Sequence, residues 1–338
     1  MLFNIWVTQD CNLSCKYCYE KAKRKRSLSP EDADAVIAFV LKYQTNRLNQ
    51  VNFHGGETLL NWNVIKYIVQ QINCSSLKKG KFRFSFTTNG IIITDDVLHF
   101  LKENEIRISV SIDGKPQTHN KNRIDQSGNG TYPLVEESLR QMEEKGVDYE
   151  IRMTYTSETI SELAHNVAFL LEHFKCSCLR WAPDCHDCGW NEKKVQILIK
   201  QYQSIMEYQE KIKKEQAEKI AAFNINYFNR LSACCGGVTE INIDTRGDLY
   251  PCTYVCGNKE FLMGNVKDGP DVERIKSIHN TMQKSYLKCE TCQNKEYCIG
   301  NRCKMINYVE DNRCSSYIEN LCSISNAEID LLREQWML

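Results

Sequence analysis

The sequence has no run approaching the eighteen or more consecutive apolar residues that a membrane-spanning helix needs. Its N-terminus also lacks a secretory apolar core and cleavage site. A cytoplasmic location is therefore expected. Neither sign of charge is in excess: 43 Lys and Arg balance 43 Asp and Glu, which leaves no global field to draw in nucleic acid or an anionic membrane. The one basic run, Lys21 to Arg26, reads as a solvated loop. Cysteine, by contrast, is abundant. Eighteen cysteines in a chain without an export signal do not read as a disulfide framework, and metal ligation is the economical explanation.

The cysteines are unevenly spread. Cys11, Cys15 and Cys18 open the chain, Cys74 stands alone, and fourteen fall between Cys176 and Cys322. The opening triplet follows a short apolar run, LFNIWV, and so occupies the loop after a first strand. A cubane iron–sulfur cluster has four irons, so three thiolates leave one iron open to bind and activate a small molecule. The competing zinc site needs a later His or Cys pair, yet no His lies within thirty residues downstream of Cys18.

Six strand-like runs recur: 3–8, 51–54, 82–88, 106–112, 148–156 and 178–182. Between them lie helical patterns such as Ala33, Val36, Ile37, Val40 and Leu41, introduced by Ser29 as cap and Pro30 at the first helical position. Strand, helix, strand at this spacing predicts βαβ crossovers and a parallel sheet, and six units suit an incomplete barrel. Reactive groups of a parallel barrel lie at the C-terminal ends of its strands, where HGGE, TNG and SIDG follow strands two, three and four. Residues 191–223 read as a long charged helix linking the two halves. Beyond Cys234 the chain is loop-rich, with a hairpin expected from Glu240 to Tyr250, and metal centres are expected to hold it together.

The spacing of Cys11, Cys15 and Cys18, with Gly55-Gly56-Glu57 after strand two, resembles the radical S-adenosylmethionine enzymes. SIDG with His119 and Arg123 resembles the branch whose C-terminal extension is called SPASM, known chiefly for maturases of ribosomal peptides. The C-terminal order Cys235, Gly247, Cys252, then Cys289, Cys292, Cys298, Cys303 and Cys322, resembles the same branch. One departure is the four residues between Cys298 and Cys303, where the family usually has three. The implied fold is α/β: a partial (β/α)6 TIM barrel over 1–190, a helical linker over 191–232, a loop-rich SPASM iron–sulfur domain over 233–322 and a final helix over 323–338.

The resemblance implies three [4Fe–4S] clusters and S-adenosylmethionine. Cys11, Cys15 and Cys18 would hold the first cluster, with Glu57 accepting the cosubstrate's amino group and Gly55 and Gly56 permitting close backbone approach. Tyr17 and Tyr19 would lie near adenine, Ser111 near ribose or carboxylate oxygens, and Arg152 near the carboxylate. Cys289, Cys292, Cys298 and Cys322 would bind a distal auxiliary cluster, with Cys314 an alternative to Cys322. Cys235, Cys252 and Cys303 would bind a proximal one, whose fourth ligand is Cys234, Cys256 or an open site. Cys176, Cys178, Cys185 and Cys188 read either as a further metal site or as reduced thiols.

The implied activity is oxidative modification of a peptide, with a thioether crosslink from Cys sulfur to carbon as the leading expectation. Alternatives are sulfatase maturation to formylglycine, against which Thr253 stands where those enzymes carry Asp, other crosslinking or epimerisation, and a non-catalytic scaffold. Expected partners are a precursor peptide, a flavodoxin- or ferredoxin-type electron donor and a separate leader-binding protein. The chain begins ten residues ahead of Cys11, so leader contact is expected to use the barrel, the C-terminal region or that separate protein.

Overall fold

In the computed structural model, residues 1–20, 25–221, 234–311 and 318–336 are described; most of the basic run, the end of the linker and Cys314 lie outside them. Six parallel strands form the first part: β1 (Leu2–Thr8), β2 (Leu48–Gly55), β3 (Lys81–Thr88), β4 (Arg107–Ser111), β5 (Glu150–Tyr155) and β6 (Cys178–Pro183). Each expected strand is present within three residues at either end. The helices between them are α1 (Pro30–Tyr43), α2 (Trp62–Cys74), α3 (Asp95–Glu103), α4 (Pro116–Asn122), α5 (Tyr132–Glu144) and α6 (Leu163–His173). The Ser29 side chain accepts from the Asp32 amide, so α1 starts where its cap and proline predict.

Strand alternation separates two faces. Phe3, Ile5, Val51, Phe53, Phe84, Phe86, Ile108 and Val110 are buried under the helices. The opposite, inner face is polar: Asn4, Asn52 and Ser85 sit in register, with Asn52 donating to Asn4 at 3.1 Å and Ser85 to Asn52 at 3.2 Å. Such a face cannot be the interior of a closed apolar barrel. It lines an open half-barrel, consistent with a sheet that ends at β6.

The other edge is not bare. The expected hairpin forms from β7 (Glu240–Ile243) and β8 (Leu249–Tyr250), turning on Asp244, whose carboxylate accepts from the Arg246 and Asp248 amides, and on Gly247 at φ +80°. Strand β7 then pairs in parallel with β1, giving one eight-stranded sheet in the order β6-β5-β4-β3-β2-β1-β7-β8. The C-terminal region is therefore joined to the half-barrel by backbone hydrogen bonds next to the cysteine-loop strand.

Two sequence expectations need correction. The linker helix α7 spans Glu192–Lys211, stops at Ile212 and is followed by the single turn α8 (Lys214–Ala217). It is amphipathic: one face buries Val195, Leu198, Tyr202, Ile205 and Met206, and charged residues such as Lys193 and Lys200 stay exposed on the other. The remaining helices are α9 (Val272–Gln283), α10 (Ile299–Arg302), α11 (Lys304–Asp311) and α12 (Glu319–Trp336). Helix α12 begins before Cys322, so that cysteine lies in its first turn and not ahead of it. Among the described residues no helix is long and apolar enough to cross a membrane.

Candidate functional site

The loop after β1 is fixed on two sides. On one, the Ser14 amide donates to the Ile124 carbonyl at 2.8 Å, Lys16 to Asn122 at 3.0 Å, and the Gln126 side chain to the Cys11 carbonyl at 2.9 Å. On the other, the amides of Gly56 and Glu57 donate to the carbonyls of Thr8 and Asp10. A Cβ at Gly55 would lie 2.2 Å from the Thr8 carbonyl oxygen, and one at Gly56 would lie 2.3 Å from that of Asp10 and 2.9 Å from the Cys11 Cβ. The glycines thus permit a close backbone approach to the cysteine loop itself. The Cys11 sulfur accepts the Leu13 amide at 3.4 Å, and the Cys18 amide donates to the Cys15 carbonyl. Three cysteine thiols on one short loop, with an amide aimed at one sulfur, fit a three-thiolate iron–sulfur cluster.

Glu57 is 1% exposed and ties β2 to the end of β3. One carboxylate oxygen accepts from the Leu59 amide at 3.0 Å and the Thr88 hydroxyl at 2.7 Å, the other from the Asn89 amide at 2.7 Å. Burial raises its pKa against these bonds. A carboxylate has about four lone-pair sites, so three donors leave room for one more, the capacity an ammonium ligand needs.

The polar inner face converges beside this loop. Ser111 on β4 stands opposite Arg152 on β5, and Arg152 is exposed toward the opening. His54, on β2, stacks on Trp6 with ring centroids 4.7 Å apart. Its Nδ1 accepts the Gly55 amide at 2.8 Å, which leaves the proton on Nε2, 3.3 Å from the Tyr19 hydroxyl. Burial, then the Arg152 charge, lower its pKa to about 4. Tyr19 meets the Tyr254 ring at 5.8 Å, so the C-terminal region closes over this end of the half-barrel. Sequence reasoning missed His54, Trp6 and Tyr254 as site residues; the position of His54 immediately before the glycine pair was the available signal.

The Tyr17 hydroxyl is engaged. Its hydroxyl donates to Asp113 at 2.5 Å, and the same carboxylate accepts from Arg123 Nε at 3.0 Å, Arg123 Nη2 at 3.1 Å and the Thr154 amide at 2.9 Å. The Arg123 guanidinium lies 5.3 Å from the Tyr17 ring centroid. This buried cluster fastens the cysteine loop to the ends of β4 and β5. His119, fully buried, accepts the Asp113 amide and pairs with Thr131, a supporting role.

The C-terminal cysteines gather in two groups. Burial raises the pKa of Cys289 and Cys322; Cys298 acts on both thiols, and Cys292 and Cys322 lie in electrostatic reach of Cys289. Asn326 spans two of them, donating to the Cys322 sulfur at 3.5 Å and facing the Cys292 sulfur at 3.9 Å. Asn294, 2% exposed, donates to both Asn326 and Asp330 and accepts from Arg333. The second group is Cys252, Cys303 and Cys234. Burial and then Cys303 push Cys252 up to about 12, and Cys234 acts on both of the others. Cys256, also raised by burial, is in reach of Cys252, while the Cys235 carbonyl holds the turn leading into β7. Sulfur-only donor sets of this kind fit iron–sulfur clusters. Among the described residues no three His, Cys, Asp or Glu side chains are gathered tightly enough for a single metal ion.

The 176–188 cysteines do not form one site. Cys176 and Cys178 stand at the start of β6 and Cys185 and Cys188 beyond its end, a separation of order 20 Å at about 3.3 Å per strand residue. Cys185 packs with Ile306, Ile318, Leu321 and Cys303.

Comparison with known proteins agrees with this fold. The Radical SAM superfamily profile matches residues 5–170. A cysteine-type anaerobic sulfatase-maturating enzyme of Clostridium perfringens is 25% identical over 329 residues, covering 88% of each chain. The solved structure of native anSMEcpe with bound AdoMet and Cp18Cys peptide superposes with a TM-score of 0.83 at 20% identity, covering 100% of this chain and 98% of that one. Streptococcus suis SuiB bound to precursor peptide SuiA gives 0.66 at 16% identity, covering 95% and 75%.

Proposed function

On the match of residues 5–170 to the Radical SAM superfamily profile, we propose that the chain is a radical SAM oxidoreductase that modifies a peptide or protein, generating its radical at Cys11, Cys15 and Cys18. When loaded, the [4Fe–4S] cluster and S-adenosylmethionine supply a 5′-deoxyadenosyl radical that takes one hydrogen atom from an unactivated C–H bond. Glu57 accepts from the cosubstrate's ammonium with its remaining lone-pair capacity. Ser111 and Arg152 bind its oxygens or those of the peptide. Neutral His54, held by Trp6 and the Gly55 amide, offers an N–H donor at neutral pH. Tyr254 and Tyr19 flank the site.

The single observation carrying the oxidative reading is the gathering of two further cysteine groups on the region that β7 attaches to β1. Forming a thioether from a thiol and a C–H bond releases two electrons and two protons. One electron and one proton leave together as the hydrogen atom, the thiol proton goes to solvent, and the second electron needs an acceptor near the site. Cys235, Cys252 and Cys303, with Cys234 as the fourth ligand, and Cys289, Cys292, Cys298 and Cys322 would hold the auxiliary clusters that take it, and a flavodoxin or ferredoxin would carry electrons to and from the enzyme. A thioether crosslink in a ribosomal peptide remains our leading product, since Thr253 offers no carboxylate beside Cys252. Sulfatase maturation is the second reading, supported by the 88% coverage of both chains.

Anaerobic incubation of the reconstituted enzyme with the peptide encoded beside its gene, followed by mass spectrometry, tests the reading. Loss of two hydrogens with one cysteine no longer alkylated supports the thioether. An aldehyde trapped by a hydrazine moves the assignment to formylglycine, and a mass unchanged in ordinary water but raised by one deuterium at an α-carbon in heavy water refutes both.

A further inference from the structure

A cavity of about 260 Å³ lies between the end of β6, helix α7 and helix α12, away from the cysteine loop. Its walls include Trp181, Tyr202, Tyr254 and Leu332, and helix α12 adds the polar side chains of Ser325 and Glu328. Ser325, Glu328 and Leu332 share one face of α12, while Cys322, Asn326 and Asp330 occupy the face turned to the distal cysteine group. The cavity is thus a separate feature of the same helix.

Two observations mark it as a binding site. Ser325 is 3% exposed, yet its hydroxyl has no hydrogen-bond partner among the described residues. A buried hydroxyl left unpaired costs about 1–3 kcal/mol, which a ligand atom would recover. Tyr155, Tyr202 and Glu328 also form a chain in which the Tyr155 and Tyr202 hydroxyls lie 2.8 Å apart and Tyr202 donates to the Glu328 carboxylate, holding that acceptor at the cavity wall.

The volume selects the ligand's size. Pockets for free small molecules run from about 300 to 1,000 Å³, so this one suits a single side chain better than a cofactor. The walls require an apolar, flat body, and the polar end requires a group that donates to Glu328 and accepts from Ser325. A phenol does both, whereas an indole N–H only donates and an ammonium cannot accept. The location selects the source: Tyr254 lines the cavity and also meets the ring of Tyr19, the residue after Cys18. That puts the cavity on the order of 10 Å from the cysteine loop, or about three residues of extended chain.

We propose that this cavity is a specificity pocket that receives a tyrosine side chain of the substrate peptide, about three residues from the residue modified. The proposal rests on the peptide-modifying reading, and it is tested without turnover so that either can fail alone.

The probes are p-cresol, toluene and n-butylamine, titrated into the anaerobically reconstituted full chain and followed by ligand-observed NMR. One net hydrogen bond is worth about 0.5–1.5 kcal/mol, so p-cresol is expected to bind roughly two- to tenfold more tightly than toluene. Ser325→Ala should erase most of that preference, and Leu332→Trp should block both aromatic probes. Ser325→Ala removes only an unpaired hydroxyl and keeps the test decisive should Leu332→Trp not fold. Equal binding of p-cresol and toluene overturns the proposal. So does tighter binding of n-butylamine, or unchanged p-cresol binding to folded Leu332→Trp.

Discussion

Replacing Asp113 by Ala removes the acceptor shared by Tyr17, Arg123 and the Thr154 amide. The side chains of Asp113 and Arg123 are 1% and 8% exposed, and their closest N···O distance is 3.0 Å. At an effective dielectric of about 20, that separation corresponds to about 5.5 kcal/mol of attraction. The guanidinium, its pKa raised further by Asp113 against the effect of burial, cannot shed its charge in the variant. It is left buried without a counter-charge, a situation that costs about 3–5 kcal/mol. The expected loss in anaerobic urea unfolding is therefore about 3–5 kcal/mol. Because Tyr17 lies between Cys15 and Cys18, bound iron should fall as well. The double variant Asp113→Leu, Arg123→Met removes both charges and should recover at least half of the stability. A single variant within about 1 kcal/mol of the parent, or a double variant no more stable than the single, would refute the reasoning.

Substituting Cys11, Cys15 or Cys18 by Ala should abolish 5′-deoxyadenosine formation while most of the iron stays bound at the C-terminal cysteines; complete iron loss would show that the groups are not independent. His54 has a folded pKa of about 4 against about 6.5 unfolded, so the unfolded chain binds more protons between these values. Its contribution, of order 3 kcal/mol, is full above about pH 6.5 and lost as pH falls toward 4; His54→Phe should flatten that part of a stability-versus-pH curve, and an unchanged slope would contradict it. Asn326→Leu removes the N–H donor to the Cys322 sulfur at similar volume. Fewer hydrogen bonds to cluster sulfurs disfavour the reduced state, so the distal midpoint potential should fall in an EPR-monitored titration, and a potential that does not move rules out this role for Asn326.

The local patterns were legible in the sequence. Alternation in FRFSFTT and the cap at Ser29-Pro30 are properties of neighbouring residues, and the structure keeps them as β3 and α1. The triplet after the first strand, the glycine pair after the second and the hairpin at Asp244 are likewise short-range signals. So is the closeness of Cys289 to Cys292, which spacing alone sets; the sorting of the late cysteines into two groups came only from the resemblance, which put Cys235 with Cys252 and Cys303 where Cys234 acts on both. Contacts between residues far apart in the chain were not legible. No periodicity in Glu240–Ile243 says that it will pair with Leu2–Ile5, since an edge strand accepts any partner that satisfies its backbone. The sequence could not show that the Tyr17 phenol would go to Asp113, 96 residues away, or that Trp6 would hold His54 neutral beside Arg152. Nor could it separate Cys176 from Cys185, which lie close in number but at opposite ends of an extended strand. By itself the sequence determined the six parallel strands, the hairpin turn and the spacing of the cysteines. The tertiary structure alone decided which of them meet, because burial and charge pairing depend on distances that only the packed sheet sets.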